Sequence, residues 1–168
     1  WVDVNWGTYP HPSQPPISRE LELVLEILDD VRLSYRIDPN RMYVCGQSMG
    51  AFGAWDIACR HSELFSSTVP VAGGGDPLEA TNLLNMGVWA FHGDADGTVP
   101  VQLTRDMVDA ITVEGGRPRY TEYPGRGHDI WPDAWNHPEL NAWMFSHVKG
   151  DTSAPPAPNA PLATPSGP

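Results

Sequence analysis

Between positions 17 and 36, apolar residues recur at intervals of three and four, and acidic residues fill most of the positions between them. This spacing predicts an amphipathic helix, and Ser18 stands where a helix N-cap is expected. The apolar positions are Leu21, Val24, Leu25, Leu28 and Val31. The segment GAFGAWDIACRH at 50–61 is apolar nearly all round, which is typical of a helix buried against a large surface. The pattern therefore predicts one half-exposed helix followed by one buried helix.

Four strands are predicted. RMYVCG at 41–46 is a short apolar run that ends in glycine, SSTVPVAGG at 66–74 and GVWAFHG at 87–93 have the pattern of buried strands, and RPRYTEYPG at 117–125 follows as a fourth strand. Helical spacing returns in PVQLTRDMVDAITVEGG, which stops at Gly115 and Gly116, and in HPELNAWMFSHV at 137–148. Buried strands that alternate with helices predict an α/β fold, in which a parallel sheet is covered by helices on both faces.

The composition changes sharply near residue 150, where GDTSAPPAPNAPLATPSGP is rich in proline and has no apolar period. Such a segment buries almost nothing and is expected to be an extended tail or linker, able to tether the domain to another one. We therefore expect a single domain at 1–149, followed by a tail at 150–168.

Charge narrows the classes of partner. Acidic residues outnumber basic ones by 21 to 10, the net charge is −11, and Lys149 is the only lysine. Nucleic acid and anionic membrane surfaces are therefore not expected as partners, and neutral or cationic substrates fit better. No apolar run approaches the ~20 residues that a membrane span needs. Cys45 and Cys59 are too few for a disulfide framework and are expected to be small buried apolar residues.

Side chains of the types used in nucleophilic catalysis follow three of the predicted strands. Ser48 comes after the first strand, Asp94 and Asp96 come after GVWAFHG, and His128 comes after YTEYPG. Because the carboxyl ends of parallel strands share one edge of the sheet, we expect these side chains to lie close together.

Ser48 lies in the pattern GQSMG, between Gly46 and Gly50. In a nucleophile elbow, a side chain two residues before or after the serine would collide with the neighbouring strand or helix, so glycine is expected at both places. The alternative is an ordinary serine in a tight strand-to-helix turn. If Ser48 is the nucleophile, the N–H of Met49 is an expected donor to the oxyanion.

A serine nucleophile needs a base, and an imidazole can act as one near neutral pH. We expect His128 in this role, since the competing histidines stand at a strand end or at the ends of the last helix, where packing or capping is usual. The competitors are His92, His137 and His147. Asp96 is expected to orient the imidazole, with Asp94 as the alternative. The sequence DAD also resembles the start of a calcium loop, but the later glutamate ligand is missing.

Gln47, Trp131 and Trp135 are candidates for the wall of a substrate pocket, and the two tryptophans are equally consistent with ordinary core packing. No metal and no cofactor are expected.

Three segments together carry a family resemblance. IDPNRMYVCGQSMGAFGAWDIACRHSELF, VWAFHGDADGTVPV and YTEYPGRGHDIW resemble the elbow, acid and histidine segments of the α/β-hydrolase superfamily. They are most similar to its polyhydroxyalkanoate depolymerase-like, feruloyl esterase-like and prolyl-oligopeptidase-like members, over residues 17 to 148. The chain order Ser, Asp, His is also that of this superfamily. The resemblance implies Ser48 as nucleophile, Asp96 as acid and His128 as base of a carboxylic ester hydrolase.

The resemblance leaves two alternatives, a prolyl-oligopeptidase-like peptidase and a catalytically silent hydrolase-like module. Family members place several strands, and a loop that supplies the second oxyanion donor, before the helix that begins near residue 17. We therefore expect this chain to be the carboxyl-terminal portion of the domain, without its N-terminal strands and weakly active by itself. The tail favours a secreted or periplasmic enzyme acting on small or polysaccharide-linked esters, with a cytoplasmic location as the alternative.

Overall fold

The computed structural model describes residues 9–11 and 15–151, and within them the chain alternates between strands and helices. The strands are β1 (Tyr43–Gln47), β2 (Ser67–Val71), β3 (Gly87–Gly93) and β4 (Arg119–Tyr123). The α-helices are α1 (Arg19–Ser34), α2 (Met49–Arg60), α3 (Gln102–Val113), α4 (Trp131–Trp135) and α5 (Leu140–Ser146), and a 3₁₀-helix covers Pro77–Leu83.

The strands form one parallel sheet in the order β1-β2-β3-β4, so each strand pairs with its successor in the chain. Each connection between them crosses over through a helix, because parallel neighbours cannot be joined by a tight turn. All four carboxyl ends consequently lie at one edge of the sheet.

Helices cover both faces of the sheet, as predicted. On one face, α2, the 3₁₀-helix and α3 pack against β1 and β3 around Trp55, Leu83 and Met107. On the other face, α4 and α5 pack against β2 and β3, with Trp89 and Phe91 fully buried between them. Burying a side chain of this size contributes roughly 1.5–3 kcal/mol, so the two apolar layers hold the sheet edge in place.

Helix α1 begins one residue after its predicted cap. The hydroxyl of Ser18 accepts a hydrogen bond from the Leu21 amide at 3.3 Å, as expected of an N-cap. Leu21 packs with Ile57 and Phe65 in a third apolar cluster, which joins α1 to α2.

The cysteine prediction is half right. Both thiols are free, and Cys59 is buried inside α2. Cys45 is exposed, so its predicted burial is wrong. Its strand, β1, lies at the edge of the sheet in the part of the chain that the structure describes, and a residue on such a strand is covered less than one on an inner strand.

Residues 152–168 of the predicted tail lie outside the described residues, as do 1–8 and 12–14 of the predicted domain. Among the residues that are described, no helix has the length and apolar character required to cross a membrane.

Candidate active site

Ser48 joins the end of β1 to the start of α2 in a conformation that few non-glycine residues adopt. Its φ is 53° and its ψ is −122°. The main chain holds it there: its amide donates to the Val71 carbonyl at 2.9 Å, and its carbonyl accepts from the Ala51 amide at 2.8 Å. Such a backbone costs roughly 1–3 kcal/mol and persists only when the surroundings impose it. The sharp turn leaves the serine half-buried at the carboxyl edge of the sheet.

The glycines two residues before and after Ser48 differ in how much space surrounds them. A Cβ at Gly46 would lie 2.1 Å from the carbonyl oxygen of Gly50, a main-chain atom of the first turn of α2. At Gly50, an added Cβ would meet nothing within 4 Å among the described residues. The expected collision is therefore present at Gly46 and wrong at Gly50, because position 50 is on the open side of the helix turn.

His128 lies between Ser48 and Asp96. Its Nε2 is 2.8 Å from Ser48 Oγ, and its Nδ1 is 2.7 Å from Asp96 Oδ2. Since an ionised carboxylate only accepts hydrogen bonds, Nδ1 carries the hydrogen and Nε2 faces the serine hydroxyl with its lone pair. The arrangement can draw the proton from Ser48.

The carboxylate of Asp96 is fixed on both oxygens. Oδ1 accepts the amides of Thr98 and Val99, each at 2.8 Å, and the side chain has no exposed surface. Burial acts to raise the pKa of Asp96, but the hydrogen bonds from His128, Val99 and Thr98 outweigh it and leave the pKa below its ordinary value. Asp96 is therefore ionised wherever His128 can act as a base.

Asp94, the alternative acid, faces elsewhere. Its Oδ1 accepts the Gly125 amide at 2.6 Å, and the Ala95 amide donates to the Arg126 carbonyl at 3.0 Å. These bonds join the loop that carries Asp96 to the loop that carries His128. Of the two aspartates, Asp96 contacts the imidazole and Asp94 contacts the loop that presents it.

Helix α4, which the sequence pattern did not predict because five residues are too few to show a period, places both tryptophans beside this site. Trp131 meets the His128 ring edge-on, with ring centroids 5.0 Å apart. Trp135 donates its indole N–H to Gln47 Oε1 at 2.9 Å. Both rings also pack on the apolar layer around Phe91. The core interpretation of both tryptophans is therefore confirmed, and their role as a pocket wall stays a prediction.

Met49 begins α2, and the first N–H groups of a helix have no carbonyl partner within it. Its amide directly follows the nucleophile candidate, which is where the sequence predicts a donor to the oxyanion. Among the described residues, no group of three or more His, Cys, Asp or Glu side chains could hold a metal ion.

A cleft of about 430 Å³ opens at the other end of α2, lined by residues that include Arg60, His61 and Glu63. The guanidinium of Arg60 is already paired with Asp56 at 2.9 Å, and His61 lies 3.4 Å from Glu63. It contains none of the side chains that converge on Ser48.

A solved structure has the same arrangement of strands and helices. The crystal structure of a thermostable esterase superimposes on 79% of this chain with a TM-score of 0.77, at 31% sequence identity. The chain has the α/β-hydrolase fold. It spans 38% of the length of the thermostable esterase.

Two curated relatives match shorter stretches of this chain. One is NocK of Nocardia uniformis subsp. tsuyamanensis, which carries the name of an esterase and is 27% identical over 103 residues, 59% of this chain and 30% of NocK. The other is poly(3-hydroxyalkanoate) depolymerase C of Paucimonas lemoignei, 35% identical over 51 residues, 30% of this chain and 12% of the depolymerase. No protein-family model matches the chain. These similarities support a hydrolytic enzyme of the α/β-hydrolase fold.

One more residue touches the site. His92 is expected to pack or bond locally at the end of its strand, and it does both: its side chain is completely buried, and its Nε2 lies 3.2 Å from Asp96 Oδ2. That its local partner is the candidate acid is not predicted from the sequence. The only signal in the sequence is its position four residues before Asp96, at the carboxyl end of β3.

Proposed function

We propose that this protein is a serine hydrolase that cleaves carboxylic esters through an acyl-enzyme, with Ser48, His128 and Asp96 as its catalytic triad. The observation that carries the proposal is the unbroken hydrogen-bonded series from Ser48 Oγ to His128 Nε2 at 2.8 Å and from His128 Nδ1 to Asp96 Oδ2 at 2.7 Å. The strained backbone of Ser48 supports it, because such strain is concentrated at functional sites.

In the first half of the reaction, Ser48 Oγ attacks the carbonyl carbon of the ester while its proton passes to His128 Nε2. The imidazolium that forms keeps its Nδ1–H on the ionised carboxylate of Asp96, which stabilises the positive charge. The carbonyl oxygen becomes an oxyanion and accepts the Met49 N–H. The tetrahedral intermediate then expels the alcohol, which takes the proton from Nε2, and leaves an acyl group on Ser48.

In the second half, water takes the place of the alcohol. His128 removes a proton from the water, the resulting hydroxide attacks the acyl carbon, and Ser48 leaves as the protonated side chain. The products are a carboxylic acid and the free enzyme. Each proton that the serine or water loses returns through the same Nε2, so no cofactor is required.

Esters are favoured over peptides by the names of the similar proteins, a thermostable esterase, NocK and a poly(3-hydroxyalkanoate) depolymerase. The net charge of −11 favours neutral or cationic esters, whether small or linked to a polysaccharide, over anionic ones. A peptidase and a catalytically silent module are the outcomes that the experiment must separate from this proposal.

The test uses the protein at its natural length, with p-nitrophenyl acetate and a peptide p-nitroanilide as substrates. We expect ester turnover that Ser48→Ala abolishes and that a matched variant, Ser62→Ala, preserves, since Ser62 is a half-buried serine beyond the end of α2. A fluorophosphonate should label the parent and Ser62→Ala but not Ser48→Ala. Turnover of the anilide alone would indicate a peptidase, an unlabelled parent would indicate a silent module, and unchanged turnover in Ser48→Ala would refute the nucleophile.

A further inference from the structure

His92, at the carboxyl end of β3, is a fully buried histidine whose ring nitrogens are surrounded by oxygen atoms. Its Nδ1 lies 2.7 Å from Thr104 Oγ1. Its Nε2 lies 3.1 Å from the Val99 carbonyl and 3.2 Å from Asp96 Oδ2. The hydroxyl of Thr104 also lies 2.6 Å from the Gly73 carbonyl, in the loop after β2.

The positions of the hydrogens on the His92 ring determine whether Nε2 presents a hydrogen or a lone pair to Asp96. If the ring is neutral with its hydrogen on Nδ1, the lone pair of Nε2 points at a carbonyl and a carboxylate, both of which carry negative charge. Every other arrangement places a hydrogen on Nε2. Either the ring is an imidazolium and the Thr104 hydroxyl keeps its bond to the Gly73 carbonyl, or the ring is neutral and that hydroxyl turns from Gly73 toward Nδ1. Because an unpaired buried acceptor facing a carboxylate is costly, the arrangements with Nε2–H are favoured.

The charged groups around His92 agree with this role. Asp96 and His128 face it from the loops after β3 and β4, while Glu122 is opposite it on β4 and is paired with Arg105 of α3. Burial lowers the pKa of His92, and the Val99 carbonyl and the Asp96 carboxylate act in the opposite direction. In the neutral ring that burial favours, a donor on Nε2 requires the Thr104 hydroxyl to donate to Nδ1 in place of the Gly73 carbonyl.

We propose that His92 is a positioning residue of the site, whose Nε2–H is shared between the Val99 carbonyl and Asp96 Oδ2 and holds this carboxylate in line with His128. The inference rests on the proposed function, since it assigns the support of the acid in that same reaction. Thr104, which contacts Nδ1, also lies within hydrogen-bond distance of the Gly73 carbonyl in the loop after β2.

The decisive experiment compares two amides at position 92. The side-chain nitrogen of glutamine reaches the place of histidine Nε2, whereas that of asparagine reaches the place of Nδ1. We expect His92→Gln to keep kcat within a few-fold of the parent. We expect His92→Asn to lower kcat by about 10-fold or more with little change in KM, because a hydrogen bond to a charged group is lost.

The pH profile separates positioning from packing. Without the Nε2–H donor, the negative charge of Asp96 attracts the proton of His128 more strongly, so the acid limb of kcat/KM should move to higher pH in His92→Asn and stay in place in His92→Gln. A merely structural histidine would lower the melting temperature in both variants and move neither limb. Equal kcat and equal acid limbs in the two amides would overturn the inference.

If the variants at position 92 do not fold, Thr104→Val and Thr104→Ser decide instead. The valine removes the hydroxyl that holds Nδ1, so kcat should fall at unchanged KM, and the serine should restore it. Equal activity of these two variants would contradict the inference.

A readout without turnover keeps the inference separate from the proposed function. In protein labelled with ¹⁵N-histidine, His92 should give a slowly exchanging Nε2–H proton signal, which a bare Nε2 at neutral pH would overturn. Ester turnover that does not depend on Ser48 would remove the proposed function and leave this signal in place.

Discussion

Substitution of Gly46 by alanine should disable the site without any change to its reacting side chains. The added Cβ would lie 2.1 Å from the Gly50 oxygen and 2.4 Å from the Gly50 carbonyl carbon, whereas real Cβ contacts are essentially never below 3.0 Å. Both atoms belong to the main chain, so no side chain can turn away. The end of β1 and the first turn of α2 must therefore separate by about 1 Å, a displacement of the size that costs ~10²-fold in rate at a reacting centre.

Ser48 is the residue between these two segments, so the displacement acts directly on the 2.8 Å contact between its Oγ and His128 Nε2. A separation that is longer by 1 Å is no longer a hydrogen bond. We expect kcat/KM of Gly46→Ala to fall by ~10² or more, which corresponds to about 2.7 kcal/mol of transition-state stabilisation. Crowding of this kind also costs roughly 1–3 kcal/mol of stability, which would lower the melting temperature by several degrees.

Gly50→Ala is the matched control, because the same methyl group there meets nothing within 4 Å among the described residues. Alanine is favoured over glycine in a helix by up to ~1 kcal/mol, so this variant should be as stable as the parent or slightly more stable. The assays are ester turnover, the rate of fluorophosphonate labelling and thermal unfolding. Parent-like turnover in Gly46→Ala, or equal losses in both variants, would refute the reasoning from close approach.

Three further predictions follow from contacts of the site and of its support. In Asp96→Asn, the amide oxygen should keep the two backbone donors and turn the NH₂ group toward His128, which imposes the wrong tautomer on the imidazole. We expect kcat to fall by ~10⁴ while the melting temperature changes little. A loss of kcat below 10-fold would contradict the role of Asp96. Trp131→Ala removes the ring that meets His128 edge-on at 5.0 Å, so kcat/KM should drop by about 10-fold, which steady-state kinetics would measure, whereas Trp131→Phe should retain most of it. The Arg105 hydrogen bonds hold the pKa of Glu122 below its ordinary 4.5. The stability that they contribute is therefore complete above that pH and is lost as the pH falls through the lower pKa of the folded state. The difference in melting temperature between the parent and Glu122→Gln should be present at pH 7 and shrink toward pH 3, and a constant difference would argue against this linkage.

The sequence predicted the layers of the fold because those layers depend on local patterns. Helical spacing and the cap at Ser18 located α1, and the apolar runs located the four strands. Helix α4 and the 3₁₀-helix were missed, since elements of five and seven residues show no reliable period. Exposure of Cys45 was also missed, because it depends on which neighbours a strand has and not on the strand itself.

In the candidate site too, the sequence predicts the parts that depend on local patterns and misses the parts that depend on contacts in three dimensions. Ser48, Asp96 and His128 could be named because each one lies in the segment after a strand, and parallel strands bring their carboxyl ends to one edge. The open space beside Gly50 depends on which side of the helix turn faces the strand, and only the three-dimensional structure shows that. The contact between His92 and Asp96 depends on how the chain turns after β3, and the spacing of four residues between them is its only sign in the sequence.

The turn at Ser48 has a consequence for how this protein can change. The backbone position of Ser48 is imposed by the main chain, through the Val71 carbonyl and the first turn of α2. Trp131 and Trp135 approach the same site from α4 and are held by the apolar layer beneath them. Under the proposed function, substrate preference can therefore evolve by exchange of residues on α4 while the serine backbone keeps its place, so that new specificities arise with the same chemistry.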